Sequence, residues 1–139
     1  MARKILVLDD DEEIIALLAV AFRGSADEVV LCTSGIEAAI KIFEAYYEEK
    51  PFHALVLDCA LPRLDGFTLA RIVRTAEAAG VSKPARIGYF TAFAKTVDRS
   101  TLLDEVGAEA YWRKPEDTQN LPALINMWLE EGEPVASTV

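Results

Sequence analysis

Four apolar runs in this chain each end on residues able to do chemistry. "ILVL" runs into Asp9 and Asp10, "ALVL" into Asp58, "IGYF" into Thr91 and "AYWR" into Lys114. Two carboxylates about 4 Å apart at an effective dielectric near 20 repel by about 4 kcal/mol. Three carboxylates brought together can all stay ionised if a cation sits among them. An all-oxygen ligand set favours a hard ion such as Mg²⁺ over zinc or copper. Magnesium usually keeps several waters and shares its shell with a phosphate, so few protein ligands suffice. Lys114 as a point charge and Thr91 as a hydrogen-bond donor suit the phosphate oxygens.

That chemistry requires the four runs to end at one rim. The strand candidates are Lys4–Leu8, Val29–Cys32, Ala54–Leu57, Arg86–Phe90 and Ala110–Arg113. The continuously apolar stretches 5–8 and 54–57 suit strands covered on both faces. Between the strands lie helical stripes: Ile14, Leu17, Leu18 and Phe22; Ile36, Ala39, Ile40, Phe43 and Tyr47; Leu69, Ile72, Val73 and Ala76; Leu121, Leu124, Ile125, Trp128 and Leu129. The segment 96–106 is a poorer stripe. Gly24, Gly80, Gly107 and Gly132 follow helical runs where a left-handed residue is wanted, Ser34 with Glu37 reads as a capping box, and Pro51 stops the second helix, at about residue 49. Five strand–helix alternations imply an α/β protein with a parallel sheet and helices on both faces. In such a sheet ligands bind outside the carboxyl ends of the strands, where the acids, the threonine and the lysine fall.

The 139 residues suit one domain, and 52% apolar with 27% charged residues suits a folded soluble chain. A net charge of −9 speaks against a direct nucleic-acid partner. The sequence has no membrane-length apolar stretch and no secretory signal, and Cys32 and Cys59 are too few for a disulfide framework, so the expected location is cytoplasmic. The expected domain is 1–132, with 133–139 a flexible tail or linker stub.

Together "ILVLDD", "LVLDCALPRLDG", "FTA" and "KP" closely resemble the response-regulator receiver domain, the phosphoaspartate switch of two-component signalling. The resemblance runs from Lys4 to about Leu129. It implies a flavodoxin-like (βα)5 doubly wound sheet of order 2-1-3-4-5, an order inherited from the family. It implies Asp58 as phosphoacceptor, with Asp10, assisted by Asp9, holding Mg²⁺ together with Asp58 and the Ala60 carbonyl. Thr91 and Lys114 would bind the phosphoryl oxygens, Tyr111 would be the aromatic that turns inward on activation, and Lys114–Pro115 would be cis. The implied partners are a sensor histidine kinase or histidine phosphotransfer protein upstream and a target protein downstream. The chain would act as a switch, assisting only its own phosphorylation and dephosphorylation, and would not be an enzyme in the ordinary sense. A stand-alone receiver is the expectation; the alternatives are a scaffold or an excised receiver of a longer regulator or hybrid kinase.

Three departures carry expectations of their own. Ala60 and Phe93 stand where the family flanks the path of the hydrolytic water, and neither side chain can bond water, which implies slow self-dephosphorylation. Glu116 stands where an aromatic often follows Lys-Pro, which lowers the expectation of a homodimer. The long second helix, with Tyr46, Tyr47 and "EEK", reads as a solvated helix, with a partner surface the second reading.

Each residue also has a plainer role. "DDDEE" complements a helix dipole, Asp58 and Thr91 can be caps, Lys114 can snorkel, Asp65-Gly66 is a turn and helix start, and Tyr111, Trp112 and Trp128 can be core. Cys59 reads as a small buried hydrophobe, His53 as a loop residue at the far end, and Asp11 as an exposed helix start. A phosphatase of the haloacid-dehalogenase type would need a second acid where Ala60 stands. Flavin binding would need a hydroxyl- and glycine-rich loop after the first strand, and no Walker-type stretch is present. Four strand ends agreeing at once favour the switch.

Overall fold

Ile5, Leu6, Val7 and Leu8 are all buried, so β1 (Lys4–Leu8) is a strand covered on both faces. β3 (Ala54–Leu57) is buried throughout, as its unbroken apolar run requires. The computed structural model describes residues 2–92 and 104–131. The other strands are β2 (Glu28–Cys32), β4 (Arg86–Thr91) and β5 (Ala110–Arg113). All neighbouring pairs run parallel, in the order β2-β1-β3-β4-β5 expected from the family. β2 starts one residue earlier than the sequence suggests, and β4 extends one residue further to include Thr91.

The strand pleat sends alternate side chains to opposite faces and so makes two cores. Ile5, Val7, Ala54, Val56 and Phe90 pack with α1 (Glu12–Ala21) and α4 (Leu121–Glu131). Leu6, Leu8, Leu55, Leu57, Ile87 and Tyr89 pack on the other side with α2 (Gly35–Tyr47) and α3 (Gly66–Ala78). The chain leaves β1 towards β2 and then returns to build β3 on β1's other side. That reversal opens a crevice at the carboxyl ends of β1 and β3.

Helix starts follow the sequence signals. Asp11, Ser34 and Asp65 cap α1, α2 and α3 by accepting from the amides of Glu13, Glu37 and Thr68. The capping box returns its second bond to the Thr33 amide, one residue before the cap. Gly24, Gly80 and Gly107 have the left-handed backbone expected of them. α2 ends at Tyr47, short of Pro51, because Glu49 turns left-handed and Lys50 N–H reaches back to the Ala45 carbonyl.

Two stripe assignments are corrected. Leu17 on α1 is 39% exposed, and the core side of that helix is Ile14, Leu18 and Phe22. On α2 the assigned stripe is the wrong face: Ile36, Ile40, Phe43 and Tyr47 are exposed, while Gly35, Ala38, Ile42 and Ala45 are buried. Small residues let α2 lie close to its neighbours. A Cβ on Gly35 would collide with the Leu64 carbonyl, so close approach selects the slimmer face. Phe93, Gly132, the tail 133–139 and most of the 96–106 segment lie outside the described residues, of which 104–106 are helical.

Candidate functional site

Asp9, Asp58 and Thr91 are buried polar residues on separate strand ends, at 0%, 2% and 0% exposure. Burying a carboxylate is costly unless a cation or donors compensate it, so the surroundings of these groups matter. Lys114, one residue past β5, supplies the cation. Its Nζ donates to Asp58 Oδ2 at 2.7 Å and lies 2.7 Å from Asp9 Oδ2. The ammonium also sits 5.2 Å from the centre of the Phe90 ring. One lysine thus bridges the ends of β1 and β3 from the far side of β4.

The remaining carboxylate oxygens meet backbone donors. Asp9 Oδ1 accepts from Asp11 N–H at 2.9 Å, and Asp58 Oδ1 accepts from Ala60 N–H at 3.0 Å. Asp9 Oδ2 is different: it faces Lys114 as an ion pair but outside hydrogen-bonding geometry, and is buried with no hydrogen bond. Burial is the larger influence on Asp9 and raises its pKa above the ordinary aspartate value, against the opposing pull of Lys114. Burial draws Lys114 down, but its contacts with Asp58 and Asp9 outweigh this and leave its pKa raised.

Asp10 is exposed, yet one carboxylate oxygen from each of Asp9, Asp10 and Asp58 lies within 4.8 Å of the others. The cluster carries three formal negative charges against one from Lys114. A divalent ion would balance that remainder, and Asp9 Oδ2 meets Lys114 through charge alone, with no hydrogen bond of its own. The set therefore fits a hard divalent cation. Cys59 contributes no competing thiolate, because burial, with Asp58 beside it, pushes its thiol well above its ordinary pKa.

Thr91 joins the rim through its backbone, whose carbonyl accepts from Lys114 N–H at 3.2 Å. In the β4–β5 register Thr91 is opposite Arg113 and Tyr89 opposite Tyr111. Thr91 and Tyr111 are therefore diagonal neighbours on one sheet face, and Tyr111 is buried. The Lys114–Pro115 bond is cis. Ala60 is exposed, His53 is exposed at the opposite end of β3, and Glu116 is exposed, 3.9 Å from Arg113.

One contributor escaped sequence reasoning. A Cβ on Gly66 would overlap the Asp58 carbonyl oxygen, so the first residue of α3 presses directly on the backbone of the Asp58 loop. Only contact geometry carries that signal; the Asp-Gly pair reads equally well as an ordinary turn.

A model of the response regulator receiver domain family matches residues 5–126. The chain belongs to that family. This receiver is 34% identical over 133 residues to the alkaline phosphatase synthesis transcriptional regulatory protein PhoP of Bacillus subtilis, covering 96% of this chain and 51% of the relative. It is also 34% identical to the probable transcriptional regulator ycf27 of Cyanophora paradoxa, over 98% of this chain and 52% of that protein. The receiver thus spans about half the length of the curated relatives it matches. Among solved structures, a putative response regulator from Chloroflexus aurantiacus aligns at 31% identity and a TM-score of 0.68, covering 90% of this chain and 95% of the other. The receiver domain of the sensor histidine kinase PA1611 from Pseudomonas aeruginosa aligns at 26% identity and a TM-score of 0.70, covering 94% of this chain and 99% of that one. That neighbour holds a magnesium ion coordinated in its active-site cleft.

Proposed function

We propose that this receiver takes a phosphoryl group onto Asp58 from a phosphohistidine of a sensor histidine kinase or histidine phosphotransfer protein. The Asp58 carboxylate attacks phosphorus, a P–O bond forms as the P–N bond breaks, and the imidazole departs. The observation that carries this reading is Lys114 held 2.7 Å from both Asp58 and Asp9, beside a three-carboxylate cluster. Asp9, Asp10, Asp58 and the Ala60 carbonyl would hold Mg²⁺, which when bound neutralises charge on the transferring group. Lys114 orients the nucleophile before transfer and receives a phosphoryl oxygen after it. Thr91 donates its hydroxyl to another oxygen. Its displacement frees space for diagonal Tyr111, so occupancy at Asp58 is read on the face formed by 104–106, β5 and α4.

The chain's own role is that of a switch acting through protein contacts, with domain limits 1–132 and a cytoplasmic site of action. No helix among the described residues is long and apolar enough to cross a membrane. A second reading, the receiver portion of a longer regulator or hybrid kinase, is favoured by the half-length match to transcriptional regulators and by the kinase-borne neighbour. Titrating Mg²⁺ and beryllofluoride while recording tryptophan fluorescence and one-dimensional NMR tests the switch. Saturable, Mg²⁺-dependent changes that vanish in Asp58→Asn are expected. A wild-type protein that behaves like Asp58→Asn would leave the scaffold reading standing instead.

A further inference from the structure

α2 has two apolar faces, and the sheet uses only one. On the other, Ile36, Ile40, Phe43 and Tyr47 are 48%, 54%, 47% and 91% exposed. With Ala39 and Leu64 they line a shallow groove of about 590 Å³. Scattered single hydrophobes on a surface are ordinary; a contiguous row of four on one helix is not. Their spacing is four, three, four, which is the alternation of d and a positions over two heptads of a coiled-coil seam. Phe43 is steadied edge-on against Tyr46, with ring centres 5.7 Å apart, so the seam is partly preorganised.

The flank of the seam is acidic. Glu37 and Glu44 fall at its e positions, and Glu44 and Glu48 rim the groove. Lys41 approaches Glu44 only as a solvent-exposed pair at 3.8 Å, which offsets little of that charge. We propose that this face of α2 docks an amphipathic helix of a partner protein, apolar along its own a and d positions and basic beside them. The surface goes beyond the phosphoryl site and shares no residue with it. Charge argues against a second copy as occupant. Antiparallel pairing of two α2 helices sets e against e, which apposes the glutamates of the two chains. Parallel pairing sets e against g, where Ala39 and Tyr46 offer no cation, and each copy carries a net charge of −9.

The test uses the full chain and a labelled three-heptad peptide with Leu at a and d and Lys at e and g, followed by fluorescence anisotropy. Saturable binding is expected. It should weaken about tenfold or more when the peptide's Lys residues become Glu, when its Leu residues become Ser, and when the protein carries Ile40→Glu with Phe43→Glu. Those two positions are exposed, so an unchanged circular dichroism spectrum is expected of the double variant. Glu44→Lys with Glu48→Lys should reverse the preference between the Lys and Glu peptides. Equal binding of the Leu and Ser peptides would reduce the effect to plain charge attraction and overturn the proposal. So would undiminished binding by the seam variant, or a concentration-dependent dimer abolished by Ile40→Glu, which would give the face to a second copy.

Discussion

Lys114 contacts Asp9 and Asp58 at 2.7 Å each, so its loss leaves two buried carboxylates and exposed Asp10 without the cation that the described residues place among them. Breaking a buried ion pair from one side costs about 3 kcal/mol or more. Lys114→Met should lose about that much stability in metal-free buffer at neutral pH, and millimolar Mg²⁺ should restore part of it in urea unfolding. The pH dependence has a definite sign. Asp9 is raised above the ordinary aspartate value, so its contribution is fully present below that value and is lost as pH rises through the raised one. Removing Lys114 removes an influence that lowers Asp9, so the penalty should grow from acid towards neutral pH. A penalty independent of pH and Mg²⁺ would mean that Lys114 matters here only for packing. The identities of these residues are legible in sequence because each ends an apolar run. The difference between buried Asp9 and exposed Asp10 is not, because beyond the last strand residue no periodicity says which acid turns inward.

At the scale of elements, α2 shows where periodicity runs out. Its sequence has two apolar arcs, and the bulkier one, Ile36 to Tyr47, looks like the core face. The core takes the slimmer arc of Gly35, Ala38, Ile42 and Ala45, where Gly35 lies against the Leu64 backbone with no room for a Cβ, and no single-helix pattern reveals how near a neighbour will come. The consequence is measurable: Ile42→Ala should cost about 2–4 kcal/mol, whereas Ile40→Ala should stay within about 0.5 kcal/mol. The reverse ranking in denaturant melts would return the core to the other face. α3 acts on the site in a similar hidden way. Gly66→Ala pushes a methyl group into the Asp58 carbonyl and should cost about 1–3 kcal/mol. It should also slow phosphorylation by acetyl phosphate more than the stability loss explains, and an unchanged rate would show that the Asp58 loop is not held by α3.

For the molecule as a whole, alternation of strands and helices made the fold class readable. The order 2-1-3-4-5 came instead from family likeness, because right-handed crossovers alone allow several orders. On the proposed reading, the lifetime of a phosphoryl group on Asp58 would be a property of the whole molecule, since it depends on how water reaches the rim. With Ala60 exposed beside Asp58 and unable to orient a water through its side chain, the phosphorylated protein is expected to persist for minutes or longer in Mg²⁺. Decay within seconds, followed by intact mass in the absence of any phosphatase, would contradict that. On the proposed function, strand ends far apart in sequence assemble one metal-assisted phosphoryl site on Asp58. The most direct measurement is intact mass spectrometry, with peptide mapping, after incubation with acetyl phosphate in Mg²⁺ or in EDTA. One phosphoryl group, on Asp58, is expected in Mg²⁺ alone, and none in Asp58→Asn. Equal labelling with EDTA, or a phosphoryl group on any other residue, would contradict it.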